Sequence, residues 1–430
     1  MENEVVRQTR WSASSLIAFR LIFVYFFIYV ILFRLGWIPF AGPILQPLSS
    51  LFFKATEQFG RLVFEAAYVS PPASTGSGDT MYNYVQLLLG VSLTVVVVLI
   101  WSLLDRRRNN YGRLWYWSLI IMRYYLAVIM LSYGLAKVFR TQFPPLSLLE
   151  LNRSYGESSP MGLLWTFMGY SGAYSVFAGL GEVIGGILLF FRRTRLLGAL
   201  IVAIVMSHVV VLNFAYDVPV KLFSIHLLLI AVLIMSPDRK RLLNFFILNK
   251  SADPLPVKLM YNSQREKWMY FVGKGVILVY MVSQTFINNL STRDSMAEYF
   301  SHMQKEQSIN GSYEVETFVV NNDTLPPTQG NTRRWKEMTI TGQKIELRNM
   351  DGAAISWHFL GSVGYRRMII HSPDLSTNGH FTFISDSSRI TIEGLLHTDT
   401  LKVVAKKRAG SETLLVSRGF HWMNEYPFNR

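Results

Sequence analysis

The chain has 430 residues, half of them hydrophobic, with 42 Lys+Arg, 28 Asp+Glu, 8 His and no Cys. Long apolar runs fall between Leu16 and Phe286 whereas the last 144 residues are ordinary polar chain, which excludes a single water-soluble globule. The lack of Cys excludes disulfides, thiolate catalysis, Fe–S clusters and Cys-ligated zinc, and the net charge of +14 lies almost wholly before residue 287 (26 basic and 13 acidic residues, against 16 and 15 after it), so it belongs to the apolar half and not to a nucleic-acid-binding face.

A helix needs about 20 apolar residues to cross roughly 30 Å of hydrocarbon. Seven stretches qualify: 16–40, 82–104, 114–136, 171–191, 196–216, 218–235 and 268–286. The first has too long an apolar core for a signal peptide and no small-x-small cleavage site, so it reads as an uncleaved anchor. Between the first two, Leu51, Ala55, Phe59, Leu62 and Ala66 recur at helical spacing and predict an interfacial helix, after which VSPPASTGSGD breaks all periodicity. Between the third and fourth, QFPP and ESSP bracket 147–153, and MGLLWTFMGYSG predicts a short apolar helix. Arg7 and Arg10, Arg106 to Arg108 with Arg113, Arg192, Arg193 and Arg195, and the cations from Arg239 through Lys267 all fall on one side of these spans. That bias predicts a plasma (inner) membrane protein with a cytoplasmic amino terminus and, after an odd number of spans, an extracytoplasmic carboxy-terminal domain.

After Asn288 the period changes. A polar helical stretch over 293–307 precedes alternating segments, SYEVETFVV, KEMTI, KIEL, ISWHFL, RRMII, HFTFI, RITIEG, LKVVA and TLLVS, with Asp351-Gly352 and Asn378-Gly379 as hairpin signals. Eight or nine short strands in succession predict an up-and-down barrel in preference to a sandwich. The expected domains are therefore a helical membrane part, 1–290, and a β-barrel-like part, 291–430.

Ionisable groups inside hydrocarbon are paired, cavity-facing or functional. Counting from the flanking arginines, Arg123 and Glu182 each lie ten residues deep, which predicts a pair between neighbouring helices; the competing reading is a salt bridge that only fixes packing. His208 and His226 lie nine residues either side of Asp217, at one level, and facing imidazoles could bind a haem or accept a proton from a quinol; the competing reading is two histidines bonded to carbonyls or hydroxyls. In the turn VLNFAYDVPVKL, Asn213, Tyr216, Asp217 and Lys221 could hold a polar headgroup, with Tyr133 and Lys137 lining the same mouth, or the turn could satisfy itself and Lys137 simply snorkel. Gly179, Gly181, Gly185 and Gly186 around Glu182 predict close helix packing. The terminal RGFHWMNEYPFNR could close the barrel or dock on the mouth of the bundle. The remaining histidines show no metal-ligand spacing, and no metal site is expected.

The strings YGLAKVF, QFPPLSLLELNRSYGESSPMGLLWTFMGYS, GLGEVIGGILLFFRRTRLLGAL and LNFAYDVPVKLFSIHLLL resemble the DoxX-like membrane proteins, in a long form with a carboxy-terminal domain. The resemblance implies a four-helix core over about 113–243, and it implies a link to membrane redox systems, since some relatives are tied to thiosulfate:quinone oxidoreduction or to complexes that manage oxidative stress. More distantly, vitamin K-dependent carboxylases also join membrane helices to an extracytoplasmic β domain, an architectural parallel only. The expectation is an accessory protein that binds a quinone, before haem, or a similar amphipathic lipid, with Arg123, Glu182, His208 and His226 as a buried charge or proton relay. Its partner would be a membrane redox system; the alternative is a non-catalytic membrane scaffold or chaperone whose outer β domain binds a partner protein.

Overall fold

The computed structural model describes residues 10–33, 42–64, 77–252, 264–306, 309–362, 366–372, 378–408, 413–418 and 421–423. In chain order the helices are α1 (Ala13–Phe27), which runs into a π-helical turn (Ile28–Phe33), α2 (Gly42–Phe64), α3 (Met81–Leu104), α4 (Gly112–Val138), α5 (Leu148–Asn152), α6 (Pro160–Tyr170), α7 (Gly172–Phe190), α8 (Arg195–Ala215), α9 (Lys221–Met235), α10 (Arg239–Phe246) and α11 (Gln264–Glu306). The strands follow: β1 (Gly311–Val320), β2 (Asp323–Thr324), β3 (Trp335–Thr341), β4 (Lys344–Asn349), β5 (Ala354–Ser362), β6 (Arg367–His371), β7 (Asn378–Ser385), β8 (Arg389–Leu396) and β9 (Asp399–Arg408), then a short α12 (Leu414–Ser417). The chain divides into two compact units, 1–142 with 173–290, and 143–172 with 291–430.

The first unit is a helical bundle. Among the described residues, seven helices are long and apolar enough to span a membrane: Ala13–Ile31, Met81–Leu104, Gly112–Val138, Gly172–Phe190, Arg195–Ala215, Lys221–Phe246 and Phe271–Glu298. The expected end of the first span, residues 34–40, and Ala66 of the interfacial helix lie outside the described residues. At the centre, Met122, Tyr125, Leu126 and Met130 of α4 recur three and four apart and pack against Leu189, Val202 and Ile230. The polar stretch after Asn288 is not a separate helix: it continues the seventh span in one 43-residue α11.

Arg20, a charge inside the apolar α1, ties one end of this unit together. Its guanidinium is buried and donates to Ser102 Oγ (2.8 Å), the Asp105 carbonyl (2.8 Å) and Tyr111 Oη (2.8 and 3.2 Å). Tyr111 in turn donates to Asp105 Oδ2 at 2.7 Å, a hydrogen bond that holds this carboxyl below its ordinary range.

The second unit is an antiparallel barrel. Consecutive strands pair in order from β3 to β9, β1 pairs with β3, and β1 with β9 closes the ring of eight; β2 adds a two-residue arm to β1. Strict alternation points one face inward, as in β7, where Gly379, Phe381 and Phe383 are covered and their neighbours exposed. The interior is filled by Phe318, Trp335, Met338, Leu347, Phe381 and Val403, as expected when eight strands enclose a space only side chains can fill. Asp351-Gly352 makes the expected turn, with Gly352 at φ +90°. Asn378-Gly379 does not: it opens β7, paired with His371 and Ile370, and the Phe381 ring lies over Gly379. TLLVS is α12 and not a strand, since the β1–β9 ladder has already closed the sheet.

The excursion 143–172, expected with the membrane part, groups with the barrel. Its α5 is capped by Ser147 and Glu150, its α6 by Ser159 with Pro160 in the first turn. Asn152 Nδ2 reaches Thr339 Oγ1 (3.4 Å), and the Arg348 fork donates to both oxygens of Glu157 (3.0 and 2.8 Å). That hydrogen-bonded guanidinium holds the Glu157 carboxyl down to about 2, against an ordinary 4.5. A carboxylate whose folded value is depressed contributes in full above its ordinary value and loses the contribution as pH falls toward the folded one. Pepsin cleavage within 143–172 is therefore expected to be faster in Arg348→Met than in the native chain at pH about 5, with the ratio of the two rates, which cancels the protease's own pH profile, falling toward one as pH drops to about 2. A rate ratio that does not change with pH would disprove the assignment.

Candidate functional site

The α4–α7 contact is set by glycines. A Cβ on Gly134 would lie 2.8 Å from the Gly179 carbonyl oxygen, one on Gly179 would lie 2.6 Å from the Gly134 oxygen, and one on Gly186 would meet the Ala127 oxygen at 3.0 Å. The two backbones therefore touch, antiparallel, with residue 134 opposite 179 and residue 127 opposite 186. That register brings Tyr124 against Phe190, with ring centroids 5.7 Å apart. Arg123 accordingly sits at the level of Phe190, eight residues or about 12 Å along α7 from Glu182.

The expected Arg123–Glu182 pair is thus not formed. Glu182 instead receives Lys137 Nζ on both oxygens at 2.9 Å, with side chains only 9% and 3% exposed. Counting from flanking arginines failed because α4 begins at Gly112 and, at 27 residues, is longer than one span, so its first turns lie beyond the level where α7 ends. Lys137 neither snorkels nor lines a mouth; it is buried in the helix contact, 5.8 Å from the Tyr133 ring.

His208 and His226 do not share a face. His208 is exposed, on the α8 stripe of Ile204 and Val211, which are 70% and 63% exposed. His226 points the other way, into α1. Its Nδ1 lies 2.6 Å from the Leu222 carbonyl, which can only accept, so Nδ1 carries the proton and Nε2 accepts from Tyr25 Oη at 2.5 Å. Tyr29, in the π-helical turn, stacks flat on the imidazole with centroids 4.0 Å apart and planes 7° from parallel. A buried imidazole between two phenols, beside a π-helical turn of the kind that recurs at functional sites, can pass or receive a proton. Sequence reasoning missed both tyrosines, because aromatic residues in a first span look lipid-facing until their partner is known.

The turn between α8 and α9 is assembled with help from far along the chain. Asp79, just before α3, accepts from the Lys221 N–H (2.7 Å) and the Leu222 N–H (3.0 Å), and so caps α9; Gly78 N–H donates to the Pro219 carbonyl (2.7 Å). Asn213 is buried and donates to Ser224 Oγ (3.0 Å), so it does not face a headgroup. Tyr216 is half-buried. Asp217, at φ +50°, accepts from Lys221 Nζ (2.8 Å) with its own side chain 83% exposed, leaving an accessible ion pair. Tyr84 of α3 stands close enough to bear on the Lys221 charge. The same Tyr84 lines an apolar groove of about 410 Å³ with Phe64, Met81, Val85, Leu88 and Val91. Of the terminal sequence, Trp422 is 90% exposed, and residues 424–430, including Tyr426, lie outside the described residues.

No protein-family model matches the chain, and no solved structure matches it. Against curated proteins, 124 residues are 33% identical to the uncharacterized protein YwoB of Bacillus subtilis (strain 168), a match over 29% of this chain and 79% of that protein. At that identity, and with more than two thirds of the relative covered, the chain belongs to the same family as YwoB.

Proposed function

We propose that this protein is an integral membrane accessory component that binds a quinone or a similar amphipathic lipid for a membrane redox system. One juxtaposition carries the reading: the accessible Asp217–Lys221 pair is tied by the Lys221 N–H to Asp79, just before α3, within electrostatic reach of Tyr84, and Tyr84 lines an apolar groove that follows α3 from Met81 to Val91. A polar head with a long apolar tail fits that order of surfaces. The Tyr25–His226 pair, five residues further into α9, supplies a proton donor and acceptor of the kind a quinol requires. The resemblance to DoxX-like proteins supports a redox setting, and the basic residues at the ends of the spans support a cytoplasmic amino terminus with the barrel on the other side.

The test is an organic extract of protein purified in mild detergent, read by absorbance before and after reductant and by mass spectrometry. A reducible quinone-type compound is expected near one per chain, and lost both in Asp217→Ala with Lys221→Ala and in Leu88→Trp, which fills the groove. Bulk phospholipid alone, unchanged by either variant, would overturn the reading. A stoichiometric co-purifying protein, lost on removing 309–430, would favour the scaffold alternative, which draws support from a barrel whose interior is packed and whose usable surface is outside.

A further inference from the structure

The bundle buries three Lys or Arg side chains among its described residues, and two of them are matched. Arg20 has its ring of acceptors and Lys137 has Glu182. Arg123 is as buried, at 8% exposed, yet among the described residues its guanidinium makes no hydrogen bond or ion pair; Nε is unsatisfied, and its contact is the face of Tyr124 at 5.2 Å. A buried cation without an anion is costly enough that such groups shed their proton or find a partner, and a guanidinium does not shed its proton.

The surroundings sharpen the problem. Arg195 lies at the same level, because a Cβ on Gly198 would meet Leu189 N at 2.8 Å, which places the start of α8 beside the end of α7. Arg123 is close enough to repel both Arg195 and Lys274 of α11. The carboxylate described at this end, Asp238, is already divided between Arg195 Nη2 (2.6 Å) and Arg241 Nη1 (2.7 Å). Three helices thus bring an excess of positive charge around the buried Arg123, and the one carboxylate described there is already taken.

We propose that Arg123, flanked by Lys274 and Arg195, forms an anion site that takes a phosphate group at the basic end of the bundle. The planar fork of Arg123 suits two phosphate oxygens, and Lys274, half-exposed on α11, adds a mobile point charge at the rim. A phosphate reaches this level either as the headgroup of an anionic phospholipid or as the free ion, and basic pockets between membrane helices are known takers of lipid phosphate. The site is separate from the groove along α3, so either can fail alone.

The experiment uses full-length protein in mild detergent, with thermal unfolding followed during titration of phosphatidylglycerol, phosphatidylcholine or inorganic phosphate. A saturable rise in Tm with phosphatidylglycerol and none with phosphatidylcholine is expected, with apparent affinity roughly tenfold weaker or worse in Arg123→Gln and weakened in Lys274→Gln. The same saturable rise with inorganic phosphate would make the free ion the ligand. No rise with either phosphate source, or titrations of both variants that match the native protein, would overturn the site. Lys274→Gln guards against a misfolded Arg123→Gln, because Lys274 is not in the core.

Discussion

Replacing Glu182 by Gln is expected to lower the unfolding free energy by about 3–5 kcal/mol, the cost of leaving a buried ammonium without its carboxylate. The Lys137–Glu182 pair is almost wholly covered, and it stands beside the backbone contact of Gly134 with Gly179, so neither α4 nor α7 can draw back to admit water. Lys137→Met should cost a similar amount by stranding the carboxylate. The double change, Lys137→Met with Glu182→Leu, should be far less harmful than the two singles added, because it removes both charges and keeps apolar volume. Thermal and denaturant unfolding of the four proteins in one detergent gives the cycle. Additive losses would mean that the two residues do not act as a pair.

Gly394→Val is the second large effect, and it falls on the barrel. Gly394 of β8 pairs with Phe381 of β7, and a Cβ there would lie 2.6 Å from Phe381 Cα and closer still to the His380 carbonyl oxygen. Both are backbone atoms held in the β7–β8 ladder, so room is made only by breaking it. Overpacking of a closed core costs about 1–3 kcal/mol, and the upper end is expected here because no side chain can yield. The check is denaturant unfolding of the full chain, with fluorescence of Trp335 and Trp357 reporting on the barrel; an unshifted midpoint would show that the strands part more easily than their register implies.

Much of the fold is legible from one-dimensional pattern. Seven apolar stretches become seven helices of spanning length, and the strict alternation in segments such as HFTFI and RITIEG becomes strands whose order in the sheet is their order in the chain. Those features depend on short-range periodicity alone. The site depends on rotation and register, which periodicity leaves open. Depth counting placed His208 and His226 together and said nothing of rotation, so His208 proved to share a stripe with Ile204 and Val211. Depth counting paired Arg123 with Glu182 because it took both helices to begin at the membrane edge. Asp79 went unnoticed as the cap of α9, being 142 residues from Lys221 in a stretch that reads only as linker. Arg20 was the one avoidable omission, since a charge inside an apolar span is itself a signal.

The wide turn at Ile28–Phe33 has a consequence for comparing this chain with its relatives. Such a turn takes up one residue more than an α-helical turn, the equivalent of about 100° of helical rotation. A relative one residue shorter here, with an unbroken α-helical turn in its place, would keep Tyr25 on His226 and leave the direction of the helix unchanged. Alignments across this stretch should therefore favour a single-residue gap over a run of mismatches, because the wide turn takes up that residue locally.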